Sequence, residues 1–469
     1  MKWLLLAILL TLTLGHCSRS LADGKEKLLI VTPSELSKGL KEFAEFKSSV
    51  RQTQIVTLES ILESNDNTGV DEPEKLKRFL YKQWRENDVG YVLLVGDASV
   101  MPIRYMVLDR VTEPAYHYAF YPSDLYYADL AKDDGTFEDW NGNKDGFHGS
   151  YFGEVRGEHN KTDPINFDSI SYVPEIAVGR WPVESIEEVK RIATKSIRYE
   201  RAVINQDRDT KNNSHIQRVG FVAVGGWVDM RPLFDRLIHK LESNWVIEKR
   251  FFADKNNASA EIPTREEVTN MFRKGMGLIV HAGHGQPHEW EQCFSIKDID
   301  SLSNAQKLPI VLSAGCSTAY FATLPPYEAY RDSHGMEHLG TNAGEVFQSP
   351  PPPPAAIQKG LYNPTGLGEQ LLRRNEDGAV AYIGCNTGSQ PCGLTLVDGF
   401  ISTLAQSKNP TLGNCWIGAV SHYHTTERLS DLKPNSDWYP PSIFFQAMKF
   451  MVFGDPSLPL ATSSASDLN

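Results

Sequence analysis

Short, unbroken apolar runs recur along the chain, separated by stretches in which apolar residues return every three or four positions. The first runs are KLLIVTP (27–33), QIVTL (54–58), VGYVLLVGD (89–97) and EIAVGRWP (175–182). Between them, 35–50 and 73–86 carry the helical period, and a helix opens on Ser185 with Glu188 three residues on, a capping box. Apolar strands without polar alternation, separated by amphipathic helices, predict a mainly parallel sheet covered on both faces.

The pattern breaks from about Met101 to Val173 into a polar and aromatic excursion, and a polar link, NQDRDTKNNSHIQ (205–217), marks a boundary. A second α/β series follows it. Its strands are VGFVAVGG (219–226), VIEKRFF (246–252), MGLIVHAGHG (276–285), LPIVLSAGCST (308–318) and GAVAYIGCNT (378–387). Its helices are one capped by Thr264 with Glu267 and three near 366–375, 395–406 and 411–427. A helix-poor insertion with the run Pro350 to Pro354 separates Tyr320 from Tyr362. A loop of that length in a compact domain is more often functional than merely connecting. The expected organisation is a signal peptide (1–22), an N-terminal α/β subdomain (23–210), a C-terminal subdomain carrying the site (211–462) and a polar tail (463–469).

The composition changes this picture little. Of 469 residues, 41% are hydrophobic and 23% charged, as in ordinary globular proteins, and the formal net charge is −12. An acidic chain with no basic patch argues against nucleic acid as a partner. The N-terminus adds more. Lys2, the apolar run Leu4 to Leu14 and the small-x-small sequence Ser20-Leu21-Ala22 read as a secretory signal. That run is too short to span a bilayer, and no later segment is long and apolar enough. The expectation is an exported protein without a membrane span. Removing Cys17 with the signal leaves Cys293, Cys316, Cys385, Cys392 and Cys415, an odd number, so one thiol is flagged as reactive. Cys385 and Cys392 are near enough in sequence to pair, and no spacing matches a structural zinc site.

Two strands share a design: GLIVHAGHG runs into His284 and PIVLSAGC runs into Cys316, each flanked by glycine. Open α/β sheets bind ligands outside the carboxyl ends of their strands. The two residues stand 32 positions apart, the length of one strand, crossover helix and strand, with SIKDIDSLSNAQK supplying the helix. Adjacent parallel strands would set them side by side, and a thiol next to a base or imidazolium becomes a nucleophile. The plain alternatives are an inert core cysteine and a loop histidine capping a helix. The cluster His281, His284, His288 also invites a zinc reading. However, HEXXH is absent, and strand residues three apart point to opposite faces.

Taken together, YVLLVGD (91–97), SDLYYADL (123–130), EIAVGRWPVESIEEV (175–189), YER (199–201), HAGHG (281–285), SAGC (313–316), GAVAYIG (378–384) and VFGDPSL (452–458) resemble the gingipain-type cysteine peptidases of the caspase-like clan, over nearly the whole chain after the signal. The resemblance implies a caspase-like α/β fold, a catalytic dyad of His284 and Cys316, and an oxyanion hole from the backbone N–H groups of Gly285 and Cys316. It also implies an acidic residue that orients the histidine, but Val224 occupies that position. In the arginine-specific members an aspartate binds the basic substrate side chain. Asp229 lies near that place, although an acid at a helix N-terminus explains it as well. The tryptophan that walls the family's specificity pocket is replaced near Pro391.

DWNGNKDGFHG (139–149) sets Asn141, Asn143 and Asp145 around Gly146, with Asp124, Asp139 and Glu154 as further carboxylates, a candidate structural calcium loop. Metal-free turns of this composition are common, and the expected chemistry requires no cofactor. The reading is an exported cysteine endopeptidase acting on proteins or peptides through a Cys-His dyad and an acyl-enzyme, of unassigned oligomeric state. Its rival is a catalytically inactive family member that binds peptides or proteins in the same groove.

Overall fold

A computed structural model describes residues 26–107, 120–144, 146–149, 165–166, 168–205, 215–241, 245–253, 263–348, 351–433 and 443–461. Ten strands form the central sheet: β1 (Lys27–Thr32), β2 (Thr53–Thr57), β3 (Val89–Val95), β4 (Ala177–Trp181), β5 (Arg218–Ala223), β6 (Val246–Phe251), β7 (Leu278–Ala282), β8 (Ile310–Ser313), β9 (Ala381–Cys385) and β10 (Phe450–Phe453). Their order is β2-β1-β3-β4-β10-β9-β8-β7-β5-β6. Every neighbouring pair is parallel except β9 with β10. The sheet is therefore two five-stranded parallel blocks running in opposite directions, joined at one antiparallel seam. The sequence blocks 23–210 and 211–462 each build one side, except that β10 crosses over to pair with β4.

The missing polar alternation in the strands has its physical reason here, because both faces of the sheet are buried. Leu29, Val31, Val92, Leu94, Leu278, Val280, Ile310 and Leu312 enter one core, and Leu28, Ile30, Leu93, Val95, Ile279 and Val311 enter the other. Helices α1 (Lys41–Val50), α2 (Glu72–Glu86), α3 (Ile186–Ile204), α4 (Arg231–Leu241), α5 (Arg265–Lys274), α6 (Leu367–Arg373), α7 (Gly393–Gln406) and α8 (Leu412–Thr426) flank it. The first core takes apolar residues from α2, α4, α7 and α8, the second from α1, α5 and α6.

The helix starts follow their side chains. Thr264 and Glu267 form a full reciprocal capping box at α5. At α3, Ser185 accepts from the Glu188 N–H, while Glu188 reaches one residue further back to the Glu184 N–H. The region 35–50, expected as one helix, is a 3-10 turn at Ser37–Leu40 followed by α1.

The aromatic excursion packs as core. Tyr126, Tyr127, Trp140 and Tyr172 are buried edge to face, with the Trp140 indole N–H donating to Asp129 at 2.7 Å. The 320–362 insertion is tied to this region by Ile103 N–H to Ala356 O, Phe120 N–H to Pro325 O and Gln358 N–H to Ala98 O. A buried lysine links three elements around the seam. Lys47 on α1 meets Glu200 on α3 at 2.7 Å and Asp455, just past β10, at 3.0 Å.

Candidate active site

β7 and β8 pair with His281 opposite Ser313, so His284 and Cys316 each stand three residues beyond matched partners. The two strands therefore end at the same edge of the sheet. The connection between them differs from expectation. In place of an α-helix it holds a small antiparallel sheet (Gly285–Gln286, Glu289–Trp290, Phe294–Ser295) and a 3-10 helix, Ile296–Ser301. The Asp298 carboxylate accepts from the Ser295 N–H at 2.7 Å and so starts that tight turn.

The two strand-end loops press together through glycine. A side chain at Gly285 would stand 2.6 Å from the Cys316 carbonyl oxygen and 3.0 Å from its amide nitrogen, so only glycine fits. Ser317 takes a positive φ of 56° as the chain turns away from Cys316, and its N–H donates to Thr387 O at 2.8 Å. Cys316 is partly exposed and His284 exposed. Among the described residues the Cys316 N–H has no backbone acceptor.

His284 Nε2 lies 3.0 Å from the carbonyl oxygen of Gly226. A carbonyl only accepts, so Nε2 carries the proton and Nδ1 is left as the basic nitrogen. Val224, where the resemblance would place an acid, is buried and packs against Gly283, with its N–H on Ala282 O at 3.0 Å. A main-chain oxygen two residues further on thus holds the histidine.

His281 lies under the site, as a strand residue would. It is fully buried, stacked on Trp290 with centroids 4.3 Å apart, and its Nδ1 is 2.9 Å from Ser313 Oγ. Burial pushes its pKa down to about 3, so the ring is neutral. Around it the Trp290 indole donates to Tyr382 Oη at 3.0 Å, and Thr318 Oγ1 sits 3.2 Å from Ser313 Oγ.

The loop after β9 closes the site from the other side. The Ser389 N–H donates to Cys316 Sγ at 3.2 Å, and the thiol lies 3.5 Å from Ser389 O. Gln446 accepts from the Gln390 N–H at 3.0 Å and donates to Ser389 Oγ at 3.5 Å, while Lys449 Nζ donates to Gly388 O. None of Ser389, Gln446, Lys449 or the Gly226 carbonyl was singled out from the sequence.

The remaining expectations fare unevenly. All five described cysteines are free, so Cys385 and Cys392 do not pair. Burial pushes the Cys385 thiol up to about 12 and raises Cys293, Cys392 and Cys415, which leaves Cys316 as the accessible thiol among them. Asp229 is clasped by Arg231, at 2.8 Å to Oδ1 and 3.1 Å to Oδ2.

In the calcium set, both Asp124 oxygens are held at 2.7 Å by Arg180, and Asp139 pairs with Lys144 at 2.5 Å. Asn141 accepts from the Gly146 N–H, and the Asn143 N–H donates to Asp168. Asp145 and Glu154 lie outside the described residues, as does the signal segment. Among the described residues no group of three or more His, Cys, Asp or Glu is placed to hold a metal. No helix among them is long and apolar enough to cross a membrane.

The sequence model of peptidase family C25 matches residues 22–461. Solved structures share the fold. That of the Arg-specific cysteine proteinase gingipain R (RgpB) superposes with a TM-score of 0.59 at 16% identity, over 93% of this chain and 78% of that one. The complex of the Porphyromonas gingivalis RgpB pro- and mature domains gives 0.57 at 17%, over 93% and 80%. A further structure, described as a protease, gives 0.55 at 14%, over 94% and 80%. No curated protein matches the chain significantly. With the family model spanning all of the described structure, the chain belongs to peptidase family C25, and its caspase-like α/β fold is that of the gingipains.

Proposed function

We propose that the chain is an exported cysteine endopeptidase whose nucleophile is Cys316 and whose base is His284. The observation that supports this reading is the register of β7 and β8, whose carboxyl ends lie at one sheet edge, with Gly285 close against the Cys316 main chain. In the proposed reaction His284 Nδ1 takes the Cys316 proton and the sulfur bonds to the scissile carbonyl carbon. The resulting oxyanion lies toward the N–H groups of Gly285 and Cys316. As the tetrahedral adduct collapses, the amine leaves with the proton from His284, giving a thioester. Water then gives a proton to His284 and attacks that thioester, which releases the acid and restores the thiol.

The test is labelling with a thiol-directed peptide inhibitor together with hydrolysis of a peptide library. The wild type should label at Cys316 and cleave, and Cys316→Ala should do neither. Equal cleavage by both proteins removes Cys316 from the chemistry. Labelling of the wild type without cleavage of any peptide points to the peptide-binding reading instead, favoured by Val224 standing where the family keeps an acid. Asp229 enters the specificity pocket only if Arg231 releases it. Cleavage after arginine or lysine therefore supports Asp229 as the anchor, and cleavage after apolar residues assigns it to Arg231 alone.

A further inference from the structure

The antiparallel seam brings the start of β10 to the same edge as the end of β9, with Phe450 opposite Cys385. Three side chains or amides from this junction converge behind the Cys316 sulfur. Ser389, Gln446 and Lys449 are all buried. The Lys449 ammonium lies over the Phe445 ring, 4.8 Å from its centroid, and holds Gly388 O, while the Lys449 carbonyl accepts from the Asn386 N–H at 2.8 Å. Asn386 Nδ2 is anchored in turn on Pro122 O at 2.7 Å. The loop 386–390 is thus fixed at both ends and its middle, and the amide it presents outward is the one aimed at sulfur.

We infer that this loop is a thiolate clamp: the Ser389 N–H stabilises the Cys316 sulfur as an anion, and Lys449, a positioning residue on the far side of the loop, holds that amide in place and supplies the balancing positive charge. The inference deepens the proposed peptidase reading, since it concerns the same nucleophile.

The chemistry favours this over a purely structural lysine. An N–H aimed at sulfur is a stronger partner for a thiolate than for a thiol, because charge-assisted hydrogen bonds are the stronger ones. Burial drives the Lys449 ammonium toward its neutral form, and what opposes this is negative charge on the sulfurs of Cys385, Cys392 and Cys316. Burial holds the first two as thiols. Of the three, Cys316 is the partly exposed one, so it is the sulfur whose developing charge the ammonium is placed to balance.

The experiment follows carboxymethylation of Cys316 by iodoacetate, read by mass spectrometry of its peptide over pH 5–10, in the wild type and in Lys449→Met. That substitution removes the charge and keeps a side chain of similar length and apolar character. Only the thiolate alkylates. Near pH 7 Lys449→Met should react about tenfold more slowly, with the gap closing as the pH rises toward the thiol's full ionisation. Equal rates across the whole range, in a variant that melts like the wild type, overturn the clamp. If Lys449→Met does not fold, Ser389→Pro decides: it deletes the N–H and leaves the lysine, and the same slowing at neutral pH is expected, while an unchanged profile is the refuting result. Alkylation needs no substrate. A clamp that holds in a chain cleaving no peptide sinks the peptidase reading alone, and an active enzyme with a flat profile sinks the clamp alone.

Discussion

The Gly226 carbonyl is the clearest case of a site contact made by an atom without a sequence signature. Gly226 has φ +90°, a conformation that costs a side-chain-bearing residue free energy, yet an added Cβ would find His284 Cδ2 no nearer than 3.8 Å. Gly226→Ala should therefore fold but tilt the peptide that orients His284. Misplacing a catalytic group in this way lowers kcat/KM by roughly 10- to 100-fold. Steady-state kinetics on a cleaved peptide checks this, and an unchanged kcat/KM would remove the carbonyl from its orienting role. The strand-end placement of His284 and Cys316 was legible in the sequence, because each follows an apolar strand whose period and spacing are visible. The sequence could not disclose Gly226 O, Ser389 N–H or Lys449, which act through backbone groups or through a strand whose direction the sequence does not state. The same limit affects the carboxylates of the calcium reading. Asp124 looks available in sequence because nothing local to it announces Arg180, 56 residues on, as its partner, and Asp139 because a lysine five positions along a loop has no periodic relation to it.

At the level of elements, the 320–362 insertion is organised by one histidine between two acids. His338 Nδ1 lies 2.8 Å from Glu345 and Nε2 3.2 Å from Asp332, and the ring stacks on Tyr330 at 4.7 Å. Burial opposes the charged ring, but the hydrogen bonds to Glu345 and Asp332 outweigh it and raise the His338 pKa above its ordinary 6.5. Both acids are likewise disfavoured as anions by burial and still end up lowered, from 3.8 for Asp332 and 4.5 for Glu345, chiefly by the same bonds. The signs then differ. The histidine's contribution is complete below pH 6.5 and fades as pH rises through its elevated folded value. The acids' contribution is complete above pH 4.5 and fades as pH falls through their depressed values. Hydrogen exchange in 327–348 should be slowest between about pH 4.5 and 6.5 after correction for the intrinsic rate, and His338→Gln should flatten that minimum. A wild-type profile flat over this window would remove the bracket from the insertion's stability. The sequence marked this segment as a long loop of unusual content but not as a bracket. A histidine seven residues from one acid and six from the other has no periodic signature outside regular structure.

Across the whole molecule, the α/β class and the alternation of strands and helices were legible because buried strands read as unbroken apolar runs. The joining of the two halves was not. FMVF looks like any other strand, and only its pairing, parallel to β4 and antiparallel to β9, makes one sheet from two blocks. Lys47 secures that junction by bonding two carboxylates from different elements while fully buried. Lys47→Met would leave Glu200 and Asp455 facing each other without a cation. Removing one partner of a buried ion pair costs about 3–5 kcal/mol, so the midpoint of chemical denaturation should fall accordingly. A loss well under 1 kcal/mol would mean the acids take up protons or find other partners at little cost.

The seat of β10 also sets an order of assembly. It is the last strand of the sheet in chain order, yet it lies in the middle, and the segment leading into it carries Gln446 and Lys449. A nascent chain that has made His284 and Cys316 but not yet Phe450–Phe453 has two unjoined half-sheets and an unsupported loop behind its sulfur. Domains form largely as the chain emerges, N-terminal parts first. The groups proposed to prepare the nucleophile are therefore among the last to be translated, and a ribosome-bound fragment would hold the proposed catalytic residues before it holds the proposed means to activate them.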